Sequence, residues 1–119
     1  MKLQRGDVVA LDFPYSDGTG GKIRPAVVVQ ADEWNAKLDD TILAMVTGSR
    51  HRRVNSPTQL FVAANSTDGQ QAGFRMDSVI QCENLVTRDQ SLVLRIMGRL
   101  PDELVTRLND CLRASLGLS

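Results

Sequence analysis

The sequence predicts an α+β chain that is mostly β: a largely antiparallel sheet of six or so short strands, curled into a small barrel with one C-terminal helix packed on it. Two observations carry this prediction. Between residues 7 and 99 short stretches with period-two or continuous apolar patterning are separated by Gly, Pro, Asn and Ser. From Pro101 onward the apolar period changes to that of a helix. A length of 119 residues suits one compact unit with one core, so residues 1–119 are read as a single domain.

Asp7 to Phe13 alternates as D-V-V-A-L-D-F and stops at Pro14, which reads as a strand. Ser16 to Lys22 is too long for a two-residue turn and rich in residues that accept positive φ, so an exposed, mobile loop is expected, closed by Arg24-Pro25. Ala26 to Val29 is a continuous apolar run, the pattern of a central strand covered on both faces. Asp32 to Leu38 fits one or two helical turns, with Asp32 as N-cap and Trp34 and Leu38 on one side.

Thr41 to Val46 reads as a strand that stops at Thr47-Gly48-Ser49; Arg50-His51-Arg52-Arg53, the most basic stretch of the chain, follows. Gln59 to Ala63 is a further strand, Asn65 to Gly73 a polar, Gly-containing loop, Asp77 to Glu83 a strand, and Leu92 to Arg99 the last one. Leu104, Leu108, Cys111, Leu112, Ser115 and Leu116 then recur at i, i+3, i+4 spacing, the mark of an amphipathic helix. Pro101 fits its first turn, Asp102 and Glu103 its positive end, and Gly117 its C′ position.

Apolar residues make up 42% of the chain and charged residues 24%, far from the composition of a disordered protein. Lys plus Arg and Asp plus Glu number 14 each, so no global field steers the chain to nucleic acid, and any such role needs a local patch. The cations are 11 Arg against 3 Lys, a bias toward the planar fork that suits phosphate. With no apolar run of about 18 residues and charges throughout the start, a cytoplasmic chain without membrane contact is expected. Cys82 and Cys111 lack CxxC companions and read as small buried hydrophobes. One His and no Cys/His cluster leave no basis for a metal site, and no cofactor is expected. Arg5-Gly6-Asp7 needs no adhesion role, because Gly6 and Asp7 simply precede a strand.

Four blocks resemble a known family. Arg5-Gly6-Asp7-Val8-Val9, the Gly-rich loop and Lys22-Ile23-Arg24-Pro25-Ala26-Val27-Val28-Val29 look like the opening of the MazF/PemK toxins. Val46-Thr47-Gly48-Ser49, then Asp77-Ser78-Val79-Ile80 through Glu83, then Thr87-x-Asp89 and Ile96-x-Gly98-Arg99-Leu100 follow in the family's order and spacing. The resemblance covers nearly the whole chain. It implies an SH3-like barrel of the PemK/CcdB type and a homodimeric toxin of a type II toxin–antitoxin pair, neutralised by a cognate antitoxin protein. It also implies growth arrest by sequence-specific, metal-independent and ribosome-independent cleavage of single-stranded RNA, chiefly mRNA. In that chemistry the ribose 2′-OH attacks the adjacent phosphate and leaves a 2′,3′-cyclic phosphate and a 5′-OH end.

The resemblance carries over residue by residue. Arg24 matches the family's catalytic arginine; a guanidinium with pKa above about 12 is a poor proton shuttle, so charge stabilisation of the phosphorane is its expected role. Thr47 matches the catalytic threonine or serine at a strand end, and Glu83 an acidic position in several branches that would accept the 2′-OH proton if burial raised its pKa. Taken alone, Arg24 reads as an exposed charge, Thr47 as a turn cap and Glu83 as a solvated strand end. Gln81 departs from a branch with arginine there, and Val86 from a frequent basic residue. His51 is an alternative acid or base, although a lone loop histidine is more often only solvated. Lys22, Ser49, Arg50, Arg52, Arg53 and Gln81 are the expected RNA contacts. Tyr15 and Phe74 are the candidate base-stacking aromatics, while Phe13 and Phe61 look like core.

Two rivals remain at this stage. One is a non-nuclease toxin of the same fold that grips a protein such as gyrase through its terminal helix. The other is an inactive family member that binds operator DNA with its antitoxin.

Overall fold

The computed structural model describes residues 2–14, 20–51 and 56–119. Six strands, β1 (Asp7–Pro14), β2 (Gly21–Val28), β3 (Asp40–Gly48), β4 (Gln59–Val62), β5 (Ser78–Asp89) and β6 (Val93–Arg99), form one sheet in the order β4-β5-β3-β2-β1-β6. Every pairing is antiparallel. Three helices accompany them: α1 (Asp32–Lys37), α2 (Thr67–Ala72) and α3 (Asp102–Leu116). The expected sheet and terminal helix are thus present, but the sheet is not closed, since β4 and β6 are its two ends.

A helix occupies the place where a barrel would close. Residues 65–73, expected as a loop, contain α2, whose N-cap Ser66 accepts a hydrogen bond from Gly69 N–H at 2.9 Å and whose C-cap Gly73 is left-handed at φ 80°. The glycine that hid the helix in the sequence is required by packing. A Cβ at Gly69 would lie 2.1 Å from the Ala63 carbonyl oxygen, and one at Gly73 would lie 2.3 Å from that of Met97 on β6. Carried between β4 and β5, α2 therefore packs on β6 and bridges the two open edges.

Both faces of the central strands are buried, as their unbroken apolar runs require. On one face Val8, Val27, Ala44, Val46, Ile80 and Cys82 meet Leu104, Leu108 and Cys111 of α3. On the other Val9, Leu11, Ala26, Val28, Leu43 and Met45 gather with Leu3 and Val93. Both cysteines are free and buried, as read, and the Cys82 thiol is pushed up by its Cys111 neighbour and by burial. Phe74 is also core, 6% exposed, because the Gly73 turn swings it under α3's face of the sheet; it is no stacking platform.

Two caps differ from expectation. Ala31, not Asp32, is the N-cap of α1, and Asp32 Oδ1 instead accepts the Arg5 backbone N–H. Pro101 is the N-cap of α3 rather than a residue of its first turn, in extended backbone that its ring favours. The Arg5-Gly6-Asp7 run is structural. Arg5 donates to the Val29 carbonyl and Asn109, and Asp7, 6% exposed, pairs with Arg99 at 3.0 Å. Among the described residues no helix is long and apolar enough to cross a membrane.

Candidate active site

The site begins where two strands part. Pairing of β2 with β3 covers only Ala26↔Met45, Val27↔Ala44 and Val28↔Leu43, although β2 remains paired to β1 as far as Gly21 and β3 to β5 as far as Gly48. Pro25, with no N–H to offer a ladder, stands where the pairing stops. Residues 21–25, read in the sequence mainly as loop, are thus strand held from one side only. The gap is a cavity of about 1000 Å³ lined by Lys22, Ile23, Arg24 and Pro25 on one wall and Val46, Thr47, Gly48, Ser49 and Arg50 on the other. Met76, Asp77, Ser78 and Gln81 form the rest.

Register explains the third wall. Thr47↔Val79 and Gly48↔Ser78 lay the start of β5 beside the end of β3, and Ser49 N–H donates to the Asp77 carbonyl at 3.0 Å. Asp77 Oδ1 accepts the Ala64 N–H at 2.9 Å, and Ser78 Oγ donates to the Met76 carbonyl at 2.8 Å, so the turn before β5 is tied at both ends. A bulge between Ala44 and Met45 shifts the β5 partner from Leu85 to Gln81, which brings Gln81 to the cavity.

The predicted residues divide accordingly. Lys22, Arg24, Thr47, Ser49, Arg50 and Gln81 share the cavity. Lys22 and Arg24 are exposed and make no hydrogen bond or ion pair among the described residues, and the Thr47 hydroxyl is equally uncommitted there. Glu83 does not line the cavity. It lies beyond Gln81 toward β4, where its carboxylate accepts from Thr58 Oγ1 at 3.2 Å and Gln59 Nε2 at 2.7 Å. Tyr15, Arg52 and Arg53 lie outside the described residues, as does the His51 side chain; the His51 backbone ends a 3-10 turn, Ser49–His51, directly after β3.

Ile23, Met76 and Asp77 belong to the site and were not singled out in the sequence. Only the β3–β5 register brings 76–78 beside 47–49, and no local pattern encodes it.

Such a site has two cations unpaired among the described residues, a hydroxyl and the unladdered strand edges of β2 and β3 facing one open gap, which is the equipment for holding an anion rather than a metal. Among the described residues no group of three His, Cys, Asp or Glu is placed to bind a metal ion.

Comparison with known proteins agrees. Residues 4–116 match the model of the PemK-like, MazF-like toxins of type II toxin–antitoxin systems. Endoribonuclease EndoA of Bacillus subtilis is 30% identical over 119 residues, 99% of this chain and 97% of that protein. Endoribonuclease MazF of Staphylococcus saprophyticus is 30% identical over 117 residues, 98% of this chain and 92% of that one. The fold is shared with a MazE–MazF crystal structure from Deinococcus radiodurans, at TM-score 0.77 and 20% identity over 100% of this chain and 99% of the other. It is also shared with a mycobacterial endoribonuclease solved with its cognate antitoxin, at TM-score 0.76 and 20% identity, covering 98% and 97%. With a family match over residues 4–116 and relatives 30% identical over nearly the whole chain, the chain belongs to the PemK-like, MazF-like toxins of type II toxin–antitoxin systems.

Proposed function

We propose that this chain is a cytoplasmic endoribonuclease toxin that arrests growth by cutting single-stranded RNA, chiefly mRNA, in the β2–β3 gap. The observation that carries the reading is the pair of uncommitted cations, Lys22 and Arg24, lining the same cavity as the uncommitted Thr47 hydroxyl. The relatives named endoribonucleases at 30% identity support the reaction class.

The chemistry needs little more than these groups. The 2′-oxygen attacks the adjacent phosphorus, the bond to the 5′-oxygen breaks, and the products are a 2′,3′-cyclic phosphate and a 5′-OH end. On the way the phosphorane gathers negative charge. Arg24 offers it a two-toothed set of charge-assisted hydrogen bonds, Thr47 donates one from its hydroxyl, and Lys22 neutralises a flanking phosphate. No step requires a metal ion.

One proton leaves the 2′-oxygen and one reaches the 5′-oxygen. Glu83 is a poor choice for either, since Thr58 and Gln59 hold its carboxylate toward β4. Asp77 lines the cavity wall, and His51, which follows Arg50 in the sequence, is the other candidate. The cleavage rates of Asp77→Asn and His51→Gln on RNA decide between them.

A homodimer, restrained by its cognate antitoxin protein, is the proposed assembly, in line with the relatives solved with antitoxin. Operator DNA is a further partner through that complex.

The experiment is to incubate the chain with long mixed-sequence RNA in excess EDTA and map the product ends. Cuts at a short recurring sequence with 5′-OH ends are expected, with no ribosome present. Intact RNA from folded protein overturns the nuclease reading and favours the protein-gripping rival.

A further inference from the structure

Cys82 on β5 and Cys111 on α3 belong to one core cluster, and neither takes part in the proposed cleavage. The packing of α3 sets them facing each other. Ser115 Oγ donates to the Cys82 carbonyl oxygen at 2.7 Å, which pins the last turns of the helix over this point of the strand. Cys111 stands four residues before Ser115 and so lies on the same helix face, one turn away. The two thiols are close enough to share a hydrogen bond. Cys111 is pulled below the ordinary thiol value first by the Cys82 thiol and then by the Arg107 cation, with burial opposing, whereas Cys82 is pushed up by the same contact and by its burial. Access is unequal as well, since Cys111 is 8% exposed and Cys82 0%. The sulfur with the greater thiolate character is the one that a small solute reaches first.

We infer that Cys82 and Cys111 are a redox pair, a modification site at which hydrogen peroxide converts the two thiols into one disulfide between β5 and α3. The inference goes beyond RNA cleavage and does not depend on it. The Cys111 thiolate attacks one peroxide oxygen, the O–O bond breaks, the departing hydroxide takes up a proton to leave as water, and Cys111 becomes a sulfenic acid. The Cys82 sulfur then attacks the Cys111 sulfur, the S–O bond breaks, and the Cys82 proton leaves with the hydroxyl as a second water. Two thiols lose two electrons, and the peroxide gains them. A bond between residues 82 and 111 closes a long loop of the unfolded chain, so oxidation staples the helix to the sheet and raises stability. In the cytoplasmic setting proposed above the bond is transient, made under peroxide and undone by thiols.

The test treats the full wild-type chain with hydrogen peroxide, alkylates the remaining thiols after denaturation and maps the peptides by mass spectrometry. Both free thiols should be lost to a Cys82–Cys111 cross-link within one chain. The thermal midpoint should rise by about 5 °C or more and return on treatment with dithiothreitol. Both thiols still alkylated, a bond between two chains, or an intrachain bond that leaves the midpoint unmoved overturns the proposal. The order of attack is read by trapping sulfenic acid with dimedone. In Cys82→Ala the acid on Cys111 has no thiol to resolve it and should be captured, while Cys111→Ala should give no adduct. An adduct on Cys82 in Cys111→Ala, or none on Cys111 in folded Cys82→Ala, overturns the assigned order. Cys82 is fully buried, so Cys82→Ser stands in where the alanine variant fails to fold, and the wild-type cross-link decides the pairing without either.

Discussion

Strands β2 and β3 live two lives along their length. From Ala26 to Val28, paired with Leu43 to Met45, the two are laddered together, and five of these six side chains are 0% exposed, with Met45 at 6%. From Gly21 to Arg24 on one strand and Thr47 to Arg50 beyond the other, pairing is abandoned and the side chains turn to Lys, Arg, Thr and Ser. The closed half supplies stability, and the open half is where the proposed chemistry lies. A ladder uses up backbone donors and apolar faces, so a site for an anion can form only where the ladder stops.

Substitutions should divide the same way, and the largest effect lies in the open half. Arg24→Ala is expected to lower the cleavage rate by about 10³-fold and Thr47→Ala by about 10²-fold, read from single-turnover kinetics on RNA. Their unfolding free energies should stay within about 0.5 kcal/mol of wild type. In the core where α3 packs against the closed half, the pattern inverts. Leu108→Ala, at a 0% exposed position of α3, should cost about 2–5 kcal/mol in chemical denaturation while the cleavage rate per folded molecule stays unchanged.

The bridge between the sheet's open edges gives a smaller loss. Gly73 is left-handed and its missing Cβ would press on Met97, so Gly73→Ala should cost at least the 1–3 kcal/mol, roughly, of such a backbone conformation, again by denaturation. Smaller still is a charge effect on affinity. Lys22→Ala should reduce the steepness of the log affinity against log salt line by about 0.7, the share of one phosphate contact on a single strand.

The smallest effect concerns acid. Asp89 has its carboxyl held below the ordinary value by the backbone N–H and hydroxyl of Ser91. A depressed carboxyl stabilises the fold above the ordinary carboxylate range, and that help fades as pH falls through its lowered value. Asp89→Asn should therefore be slightly less stable than wild type at pH 6 and no different at pH 2, measured as urea midpoints.

Much of this division was legible in the chain. The apolar runs at Ala26 to Val29 and Thr41 to Val46 announced buried strands, and the spacing of Leu104, Leu108 and Cys111 announced the helix that covers them. Arg24 and Thr47 were singled out through their neighbours in sequence, and both line the cavity. What stayed hidden depends on contacts between distant segments. Gly69 looks like a helix breaker until Ala63 is seen against it, and nothing in the sequence places Met76 at the site until the β3–β5 register lays it over Gly48. Glu83 shows the reverse. Its match to an acidic position of the family suggested the site, but it does not line the cavity, and its carboxylate accepts from Thr58 and Gln59 instead.

The most direct test of the open-half account is to titrate an RNA octamer carrying 2′-deoxy sugars, and so uncleavable, into the isotope-labelled chain and follow its backbone amide resonances. The account predicts that the largest shifts fall on residues 22–25, 47–50 and 76–78, with α3 undisturbed. Shifts concentrated on α3, with residues 22–25 and 47–50 unmoved, would contradict it.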